Sequence, residues 1–301
     1  MKPVAKWAAN ARRFTFQGWP IAYWTSRGKP DLPLLLLIHG YPTSSWDWTA
    51  LWPALKGRFR LAALDMLGFG LSAKPRKHVY EIAQQADLQE ALLEHLGEGA
   101  AHILAHDYGV TVAQELLARE NEGALSFAIR SVCFLNGGLF PEAHRPRPLQ
   151  KLAASPLGPL VGLLMTKARF SDAFAEVFGP DAPPSAEELD GHWRLITEGG
   201  GKAVMHKLLR YMVERRANRA RWVGALSATR APLHLISGAA DPVSGRSVYD
   251  AFPEHAPDAG AVSLDGVGHY PHTEAPAAVA EAFFAFHDAF SDGPRSDFAA
   301  S

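Results

Sequence analysis

Four short, uninterrupted apolar runs in the first half of the chain constrain the fold more than any other feature of the sequence. The clearest is the run from Leu34 to Ile38. A strand that is apolar at every position is buried on both faces, and parallel sheets covered by helices provide that environment. Similar runs occur at residues 60–65, 101–107 and 132–136, with helix-length segments between them. Strands that alternate with helices predict βαβ units and a mostly parallel central sheet.

Weaker patterns extend this arrangement at both ends of the chain. Residues 14–16 and 21–24 lie close together across a turn at Gly18 and predict an antiparallel hairpin at one edge of the sheet. A helix is predicted from Ile82 to Leu96, where Gly97 ends it. The last third of the chain predicts strands at 233–237 and 261–264 and helices at 244–252 and 277–290. Residues from 292 onward are rich in Gly, Pro, Ser and Ala and are expected to be frayed.

The segment from residue 139 to residue 226 has a different character, because it contains no strand pattern. Its prolines divide it into short helices; they are Pro141, Pro146, Pro148, Pro156, Pro159, Pro180, Pro183 and Pro184. A helical insertion within a parallel-sheet domain is typical of a cap. We therefore predict a core domain formed by residues 1–138 and 227–301, with a helical cap domain at 139–226 inserted after the sixth strand.

Composition excludes several classes of function. Thirty basic and 31 acidic residues give a formal net charge of −1, which argues against a nucleic-acid partner. The single cysteine allows no internal disulfide and no cysteine-based zinc site. No run approaches the roughly 20 apolar residues of a transmembrane segment, and the N-terminus lacks the apolar region of a secretory signal. We expect a cytoplasmic protein, and the oligomeric state stays open.

The first candidate catalytic residue is Asp107, which ends a buried run and precedes a helical one. Ligands of open parallel sheets bind at the carboxyl ends of the strands. A sharp strand-to-helix turn with a small residue two positions on, here Gly109, is the pattern of a nucleophile elbow. The alternative is an ordinary helix N-cap, where aspartate is favoured.

Two further candidates follow later strands. Asp241 comes just after the run 233–237, and His269 lies in a glycine-rich turn after the run 261–264, with His272 as a rival. Taken alone, Asp241 could be an ordinary turn residue and His269 an ordinary surface residue. Together, Asp107, Asp241 and His269 follow the chain order of nucleophile, acid and base in a hydrolase triad.

The turn from His39 to Pro42 directly follows the first apolar run. The backbone N–H of Tyr41, paired with that of Tyr108, could form an oxyanion hole beside Asp107. The alternative is a tight turn in which Gly40 and Pro42 only shape the backbone. His39 is a candidate substrate-binding residue, although a structural role suits it better.

These motifs resemble those of the α/β-hydrolase superfamily, in the branch that holds epoxide hydrolases and haloalkane dehalogenases. Residues 39–42 are similar to its His-Gly-x-Pro motif, 106–109 to its His-Asp-x-Gly elbow, and 268–276 to its Gly-His-aromatic block that ends in Glu-x-Pro. The chain also resembles the family of the mesoderm-specific transcript protein of vertebrates and its bacterial relatives. That likeness rests on residues 39–48, 65–75, 106–109, 136–146, 177–180 and 221–226. The resemblance implies an α/β-hydrolase fold with a cap.

An aspartate nucleophile narrows the chemistry. A carboxylate is already ionised at pH 7, and its attack on an ester carbonyl would form a high-energy mixed anhydride. Attack on a saturated carbon forms an ordinary ester instead, so the predicted substrate is a small apolar electrophile such as an epoxide or an alkyl halide. His269 would then activate water to hydrolyse the ester, and Asp241 would orient His269. This route needs no metal and no organic cofactor.

The leaving group distinguishes the two substrates. Related dehalogenases supply N–H donors from a tryptophan after the nucleophile, whereas this chain has Tyr108 there. Related epoxide hydrolases protonate the leaving oxygen from two cap tyrosines, and Tyr211 lies close to the expected position of the second. The first has no tyrosine counterpart, and His144 or water is a candidate substitute. An epoxide hydrolase is the leading hypothesis. A haloalkane dehalogenase is second, and a ligand-binding or ester-hydrolysing relative remains a further alternative.

Other cap features have two interpretations each. Trp193 could line the substrate pocket or pack in the interior of the cap. Five arginines between residues 210 and 221 favour a solvated helix face, with a partner site as the alternative. The apolar stretch 157–165 could line an access channel or touch a membrane surface, although packing in the interior is favoured.

Overall fold

The computed structural model of the protein describes residues 1–26 and 28–291. The predicted frayed C-terminus lies outside the described residues. Eight strands form one sheet within that range: β1 (Arg12–Phe16), β2 (Trp19–Thr25), β3 (Leu34–Ile38), β4 (Arg60–Leu64), β5 (Ala100–Ala105), β6 (Ala128–Leu135), β7 (Leu233–Gly238) and β8 (Gly260–Leu264). Their spatial order is β1-β2-β4-β3-β5-β6-β7-β8. The pairs that involve β2 are antiparallel and all others are parallel, so the predicted mostly parallel sheet is confirmed.

Strand β3 shows why the continuous apolar runs form the centre of the sheet. Its neighbours are the parallel strands β4 and β5, and all five of its residues are buried. Leu36 belongs to the hydrophobic core on one face of the sheet, while Leu35 and Leu37 belong to the core on the other. An alternating strand would expose one of these faces, so the apolar run requires helices on both sides.

Helices before and after the sheet strands cover both faces. They are α1 (Val4–Ala8), α2 (Trp52–Leu55), α3 (Ile82–Leu96) and α4 (Tyr108–Asn121) in the first half, and α12 (Gly245–His255), α13 (Pro271–Glu274) and α14 (Pro276–Ser291) after β7; a 3₁₀ helix spans Ser45–Thr49. Helix α3 has the predicted bounds. Its C-cap residue Gly97 has φ 72°, a left-handed conformation that glycine adopts without steric cost.

The chain between β6 and β7 contains helices and no strand. These are α5 (Pro148–Ala153), α6 (Gly158–Leu164), α7 (Lys167–Ala175), α8 (Ala186–Thr197), α9 (Met205–Leu208), α10 (Tyr211–Ala217) and α11 (Arg219–Ala228), with a 3₁₀ helix at Glu198–Ala203. Helix α11 packs against α4, where the Trp222 indole N–H donates to Glu115 at 2.6 Å. Because α11 runs to Ala228, it continues two residues beyond the predicted cap boundary. The division into core and cap domains stays a prediction.

Across the part of the chain that the structure describes, no helix combines the length and apolar character required to cross a bilayer.

Candidate active site

Asp107 occupies a sharp turn between β5 and α4. Its backbone has φ 48° and ψ −107°, a left-handed region that is strained for a residue with a side chain. A Cβ atom at Gly109 would approach the backbone oxygen of His39 to 2.7 Å, so only glycine fits there. The Asp107 side chain makes no capping hydrogen bond to α4. The N-cap alternative therefore does not explain this residue, because its carboxylate points elsewhere.

His269 lies between two buried carboxylates. Its Nδ1–H donates to Asp241 Oδ2 at 2.9 Å, and its Nε2 lies 3.5 Å from Asp107 Oδ2. Asp241 also accepts hydrogen bonds from the Ser244 hydroxyl at 2.7 Å and the Asn136 amide at 2.8 Å. The loops after β5, β7 and β8 thus bring together the three residues that the sequence places in triad order. The rival His272 is fully buried and lies behind this group, against the ring of His106.

The charges in this group reinforce one another. Burial opposes ionisation of Asp107, but the hydrogen bond and charge of His269 outweigh it and hold the pKa of Asp107 below its ordinary value. Burial alone would lower the pKa of His269; the charge of Asp241 and the hydrogen bond that His269 donates to Asp107 raise it to about 10. At neutral pH the group therefore contains two carboxylates and one imidazolium.

The turn after β3 approaches Asp107 from the other side. The Tyr41 backbone N–H donates to Asp107 Oδ1 at 2.8 Å. Gly40 makes this approach feasible, since a Cβ atom there would lie 2.7 Å from the Cβ of Asp107. Tyr108 is the first residue of α4, so its N–H belongs to the end of a helix that favours negative charge. The geometry at Tyr41 is what an oxyanion hole requires of a donor.

A largely apolar cavity separates this group from the helices between β6 and β7. The space within it, counted together with the open solvent at its mouth, is about 870 Å³. Tyr41 and His269 line its inner end. The helical side is lined by Val161, Met165, Phe170, Phe174, Met205 and Leu209, among others. An apolar ligand would therefore be enclosed beside the triad.

The substrate-binding role of His39 stays a prediction, and the contacts of its ring favour the structural role instead. Its Nδ1–H donates to the Gly40 carbonyl oxygen at 2.9 Å, and its Nε2 accepts from the Met66 N–H at 3.0 Å. Both ring nitrogens are therefore occupied by backbone groups, and the ring is fully buried. No polar atom remains to contact a substrate, so His39 shapes the turn that carries Tyr41.

Trp193, like His144, is not among the residues that line the cavity, and its substrate-binding role stays a prediction. Its ring packs behind Phe170, at 5.7 Å between ring centroids, and it is Phe170 that faces the cavity among the described residues. His144 lies beside Gly138 in the loop after β6. Burial and the charge of Arg215 lower the pKa of His144 to about 3, so the ring is uncharged at neutral pH.

Tyr211 is buried, with 1 % of its surface exposed, at the start of α10. Its ring packs against the ring of Tyr108, the residue after Asp107, at 4.9 Å between centroids. Its hydroxyl makes no hydrogen bond of regular geometry among residues 1–26 and 28–291, but it lies close to the Arg215 guanidinium, which acts to lower the pKa of Tyr211. Burial, and then the charge of Asp107, raise the pKa of Tyr211 above its ordinary value. Tyr211 is not among the residues that line the cavity, and its hydroxyl lies in the layer directly behind the wall, near the carboxylate of Asp107.

Sequence reasoning missed Arg215, one turn along α10 from Tyr211. The expectation of a solvated arginine face is wrong here, because Arg215 is 2 % exposed. Its Nε–H and Nη2–H donate to the Thr111 hydroxyl at 3.1 and 2.7 Å, and its guanidinium carbon lies 4.7 Å from the centre of the Tyr211 ring. Its Nη1 has no hydrogen-bond partner among the described residues. The adjacent Arg216 is exposed, so local sequence carries no signal that separates the two.

Two other supporting residues were missed. His106 Nε2–H donates to the His269 carbonyl oxygen at 2.7 Å and thereby holds the loop that carries the imidazole. Asn136 directly follows β6 and bonds Asp241, as noted above. The position of Asn136 at a strand end, like that of the triad residues, is a signal that could have identified it.

One set of described side chains has the spacing of a metal site. Atoms of Asp47, His106 and His272 that could bind an ion lie within 4.8 Å of one another. All three residues are completely buried, and burial raises the pKa of Asp47 well above its ordinary value, which favours the neutral carboxyl group over the carboxylate that a metal ion needs. We assign this set no metal, and it serves as a polar layer behind the triad.

Comparison with known proteins identifies relatives that span almost the whole chain. A family model described as the alpha/beta hydrolase family matches residues 35–282. The protein named LipZ in Mycobacterium tuberculosis is 42% identical over 255 residues, covering 85% of this chain and 88% of LipZ. The mesoderm-specific transcript homolog protein of Homo sapiens is 41% identical over 293 residues, covering 94% of this chain and 88% of that protein. These matches confirm the predicted resemblance.

Solved structures agree on the fold. The structure of epoxide hydrolase CorEH without ligand superposes with a TM-score of 0.75 and covers 93% of this chain and 99% of that one. At 18% identity this likeness concerns the fold alone. The predicted α/β-hydrolase fold is confirmed.

Proposed function

Because the chain belongs to the alpha/beta hydrolase family, we propose that it is a hydrolase that opens epoxides through a covalent ester on Asp107. The observation that carries this proposal is the ionised carboxylate at the elbow, which lies between the Tyr41 N–H and the His269 imidazole. A carboxylate in this position is a ready nucleophile for a saturated carbon. The substrate is a small apolar electrophile held in the cavity, and no metal or organic cofactor takes part.

The first step forms the ester. An oxygen of Asp107 attacks an epoxide carbon, the C–O bond to the epoxide oxygen breaks, and its electron pair goes to that oxygen. The alkoxide takes a proton from Tyr211, whose buried hydroxyl lies near Asp107 and Arg215. Negative charge thus moves from Asp107 to the leaving oxygen and Tyr211, on the side of the site where Arg215 lies.

Arg215 is our candidate for the second donor to the leaving group. A buried cation without a carboxylate partner is costly, so its position beside the site calls for a compensating charge. Burial lowers the pKa of Arg215, while Tyr211 and then the charge of Asp107 act to raise it, so the Asp107 carboxylate supplies part of that charge before the reaction. During ester formation the leaving oxygen takes over the charge, and the free Nη1–H of Arg215 would stabilise it. This role replaces the absent first cap tyrosine.

The second step hydrolyses the ester. Esterification removes the charge of Asp107, which is one reason for the raised pKa of His269, so the pKa of His269 falls. The imidazolium then passes its Nε2 proton through solvent to the Tyr211 phenolate, and the neutral Nε2 can accept a proton from water. The resulting hydroxide attacks the ester carbonyl, and the Tyr41 N–H stabilises the tetrahedral oxyanion. Asp241 holds the imidazole and balances its charge. The tetrahedral intermediate collapses with cleavage of the ester bond to the substrate oxygen, and the departing alkoxide takes the proton of the new carboxyl group. Release of the diol leaves Asp107 as a carboxylate and His269 as an imidazolium.

A panel of substrates tests the proposal directly. Purified protein is incubated with styrene-type and aliphatic epoxides and, separately, with bromoalkanes, and diol and bromide are measured. We expect diol formation and little bromide, because Tyr108 gives no side-chain N–H beside the nucleophile. Bromide release without diol would make the dehalogenase alternative correct. If the protein releases neither product but cleaves aryl esters, the ester-hydrolase alternative would replace both.

Two variants on α10 separate proton donation from charge stabilisation. Tyr211→Phe is expected to slow ester formation from epoxides by about 10²–10⁴-fold and to affect bromoalkanes far less, since bromide leaves without a proton. Arg215→Gln is expected to slow ester formation from epoxides and from bromoalkanes by about 10²-fold, since each of these reactions produces an anionic leaving group. Arg215→Lys should retain most of the activity, because it keeps the charge. Rates are measured by rapid quench and mass spectrometry, with each variant checked by circular dichroism.

The neighbouring Arg216 supplies the matched control, since Arg216→Gln removes an exposed charge from the same helix. We expect it to react at the wild-type rate. If Arg215→Gln behaves like Arg216→Gln, the charge of Arg215 has no part in the reaction. If Tyr211→Phe opens epoxides normally, Tyr211 is a packing residue and the proton must come from His144 or water.

We further propose that residues 139–226 act as a cap domain that closes the cavity over the core domain. The support is that Phe170, Phe174 and Met205 line the cavity opposite His269. We also propose a cytoplasmic location, because the fold contains one buried free cysteine, Cys133, and does not depend on a disulfide.

A further inference from the structure

Helix α6 exposes an unusual amount of apolar surface. Leu157, just before it, and Leu160, Leu163 and Leu164 within it are each between 51% and 71% exposed. Leu152 at the end of α5 is 45% exposed. These five leucines lie within 13 residues, whereas the described chain outside this stretch has three exposed large apolar side chains, which are dispersed. A concentrated apolar patch on a protein surface marks an interaction site.

The leucines are exposed although their helix is firmly packed. The opposite face of α6 consists of Gly158, Val161, Gly162 and Met165, at the spacing of one helix face. Gly162 lies directly against the backbone oxygen of Lys202, and a Cβ atom at Gly158 would lie 2.8 Å from the Cβ of His206. The two glycines therefore let α6 approach its neighbours closely. Since this face determines how the helix sits, the leucine face is left pointing outward.

The inner face of the same helix belongs to the cavity. Val161, Gly162 and Met165 line it, as do Gln150 and Ala153 of α5. The leucine patch and part of the wall of an apolar cavity that reaches His269 are therefore two faces of the same helix. Helix α6 thus lies between whatever covers the leucines and the candidate active site.

The charged residues around the exposed leucines indicate which kind of surface this face binds. From residue 143 to residue 171 the chain has five basic residues and no acidic one, although the net charge of the whole protein is −1. The basic residues are Arg145, Arg147, Lys151, Lys167 and Arg169. Arg147 pairs with Glu176 and Lys167 with Asp190, while the other three are exposed and have no ion-pair partner among the described residues. Leucines flanked by free cations are complementary to anionic lipid headgroups over acyl chains.

We propose that the face formed by Leu152, Leu157, Leu160, Leu163 and Leu164 docks on an anionic lipid surface and admits apolar substrate from it to the cavity. Docking would insert the leucines at the boundary between headgroups and acyl chains and place Lys151 and Arg169 at the headgroups. The interaction is peripheral and reversible, since one short amphipathic helix supplies it. This inference does not depend on which bond the enzyme cleaves.

Vesicle flotation with the full-length protein tests the inference. The vesicles are phosphatidylcholine alone or phosphatidylcholine with phosphatidylglycerol, at low and high salt. We expect the wild type to float with the anionic vesicles, less at high salt and less with phosphatidylcholine alone. The double variant Leu163→Gln/Leu164→Gln should lower the partition coefficient at least about tenfold, because both side chains lose their favourable transfer into the bilayer. Lys151→Gln/Arg169→Gln should weaken binding to anionic vesicles only.

Val213 provides the control, because it is 61% exposed on α10, outside the patch. Val213→Gln should bind vesicles like the wild type, and hydrolysis of a water-soluble substrate should be equal in all these variants. The inference is overturned if the wild type binds none of the vesicles. It is also overturned if Val213→Gln loses as much vesicle binding as Leu163→Gln/Leu164→Gln. Light scattering tests the remaining alternative, in which a second copy of this chain covers the patch. If the wild type is a dimer that Leu163→Gln/Leu164→Gln dissociates and neither binds vesicles, the patch is an interface between two copies of this chain.

Discussion

A variant in which alanine replaces His269 is expected to form the ester on Asp107 and then to stop. Ester formation needs only the carboxylate and the donors to the leaving group, whereas hydrolysis needs a base on water. We expect steady-state turnover to fall by about 10²–10⁴-fold while the first step proceeds. Intact-protein mass spectrometry should show one added substrate mass, and peptide mapping should locate it at Asp107.

His78 offers a matched control, since it is a partly exposed histidine that bonds Gln84 rather than a triad residue. His78→Ala should turn over substrate normally and accumulate no adduct. An unmodified His269→Ala protein, under conditions in which the wild type produces diol, would argue against a covalent intermediate. In that case His269 would activate water directly on the epoxide.

Asp107→Asn is expected to abolish turnover, with a loss of at least about 10⁴-fold, because a neutral amide is a poor nucleophile. The amide oxygen can still accept the Tyr41 N–H, so the fold should be retained. The variant also removes one of the two negative charges that raise the pKa of His269 to about 10. The pKa of His269 should therefore move down, and NMR titration of the imidazole in wild type and variant measures this shift.

The direction of that shift separates two explanations of the site. If the pKa of His269 falls in Asp107→Asn, the charge of Asp107 acts on the imidazole as the mechanism requires, and esterification would release His269 as a base. An unchanged pKa would mean that Asp241 alone sets the protonation of His269. The comparison with Asp250→Asn, on the surface of α12, controls for a general effect of charge.

The sheet and the order of the triad are readable from the chain because both depend on local pattern. The run Leu34–Ile38 has the bounds of β3, and helix α3 has its predicted bounds. Strand β6 begins at Ala128, four residues before the predicted start, because exposed and buried residues alternate there before the run becomes fully apolar. Turn residues after strands identify the edge of the sheet at which site residues gather, and this is why Asp107, Asp241 and His269 could be named together.

The surface character of the helices between β6 and β7 was much less predictable. The stretch 157–165 was expected to pack in the interior, yet its leucines are exposed and its glycines are the packed face. Hydrophobicity ranks residues by their average burial, and glycine contributes nothing to an apolar pattern. Only the close approach of the neighbouring backbone determines which face of α6 is turned inward.

The sequence by itself determined the class of fold, the mostly parallel sheet and the residues of the candidate triad, since spacing along the chain encodes strands, helices and the turns between them. The tertiary structure alone decided that Arg215 is buried while Arg216 is exposed, that His39 is occupied by backbone groups, and that Tyr211 lies against Tyr108. The physical reason is that the burial and partners of a polar side chain depend on residues distant in sequence. Thr111, the partner of Arg215, is 104 positions away.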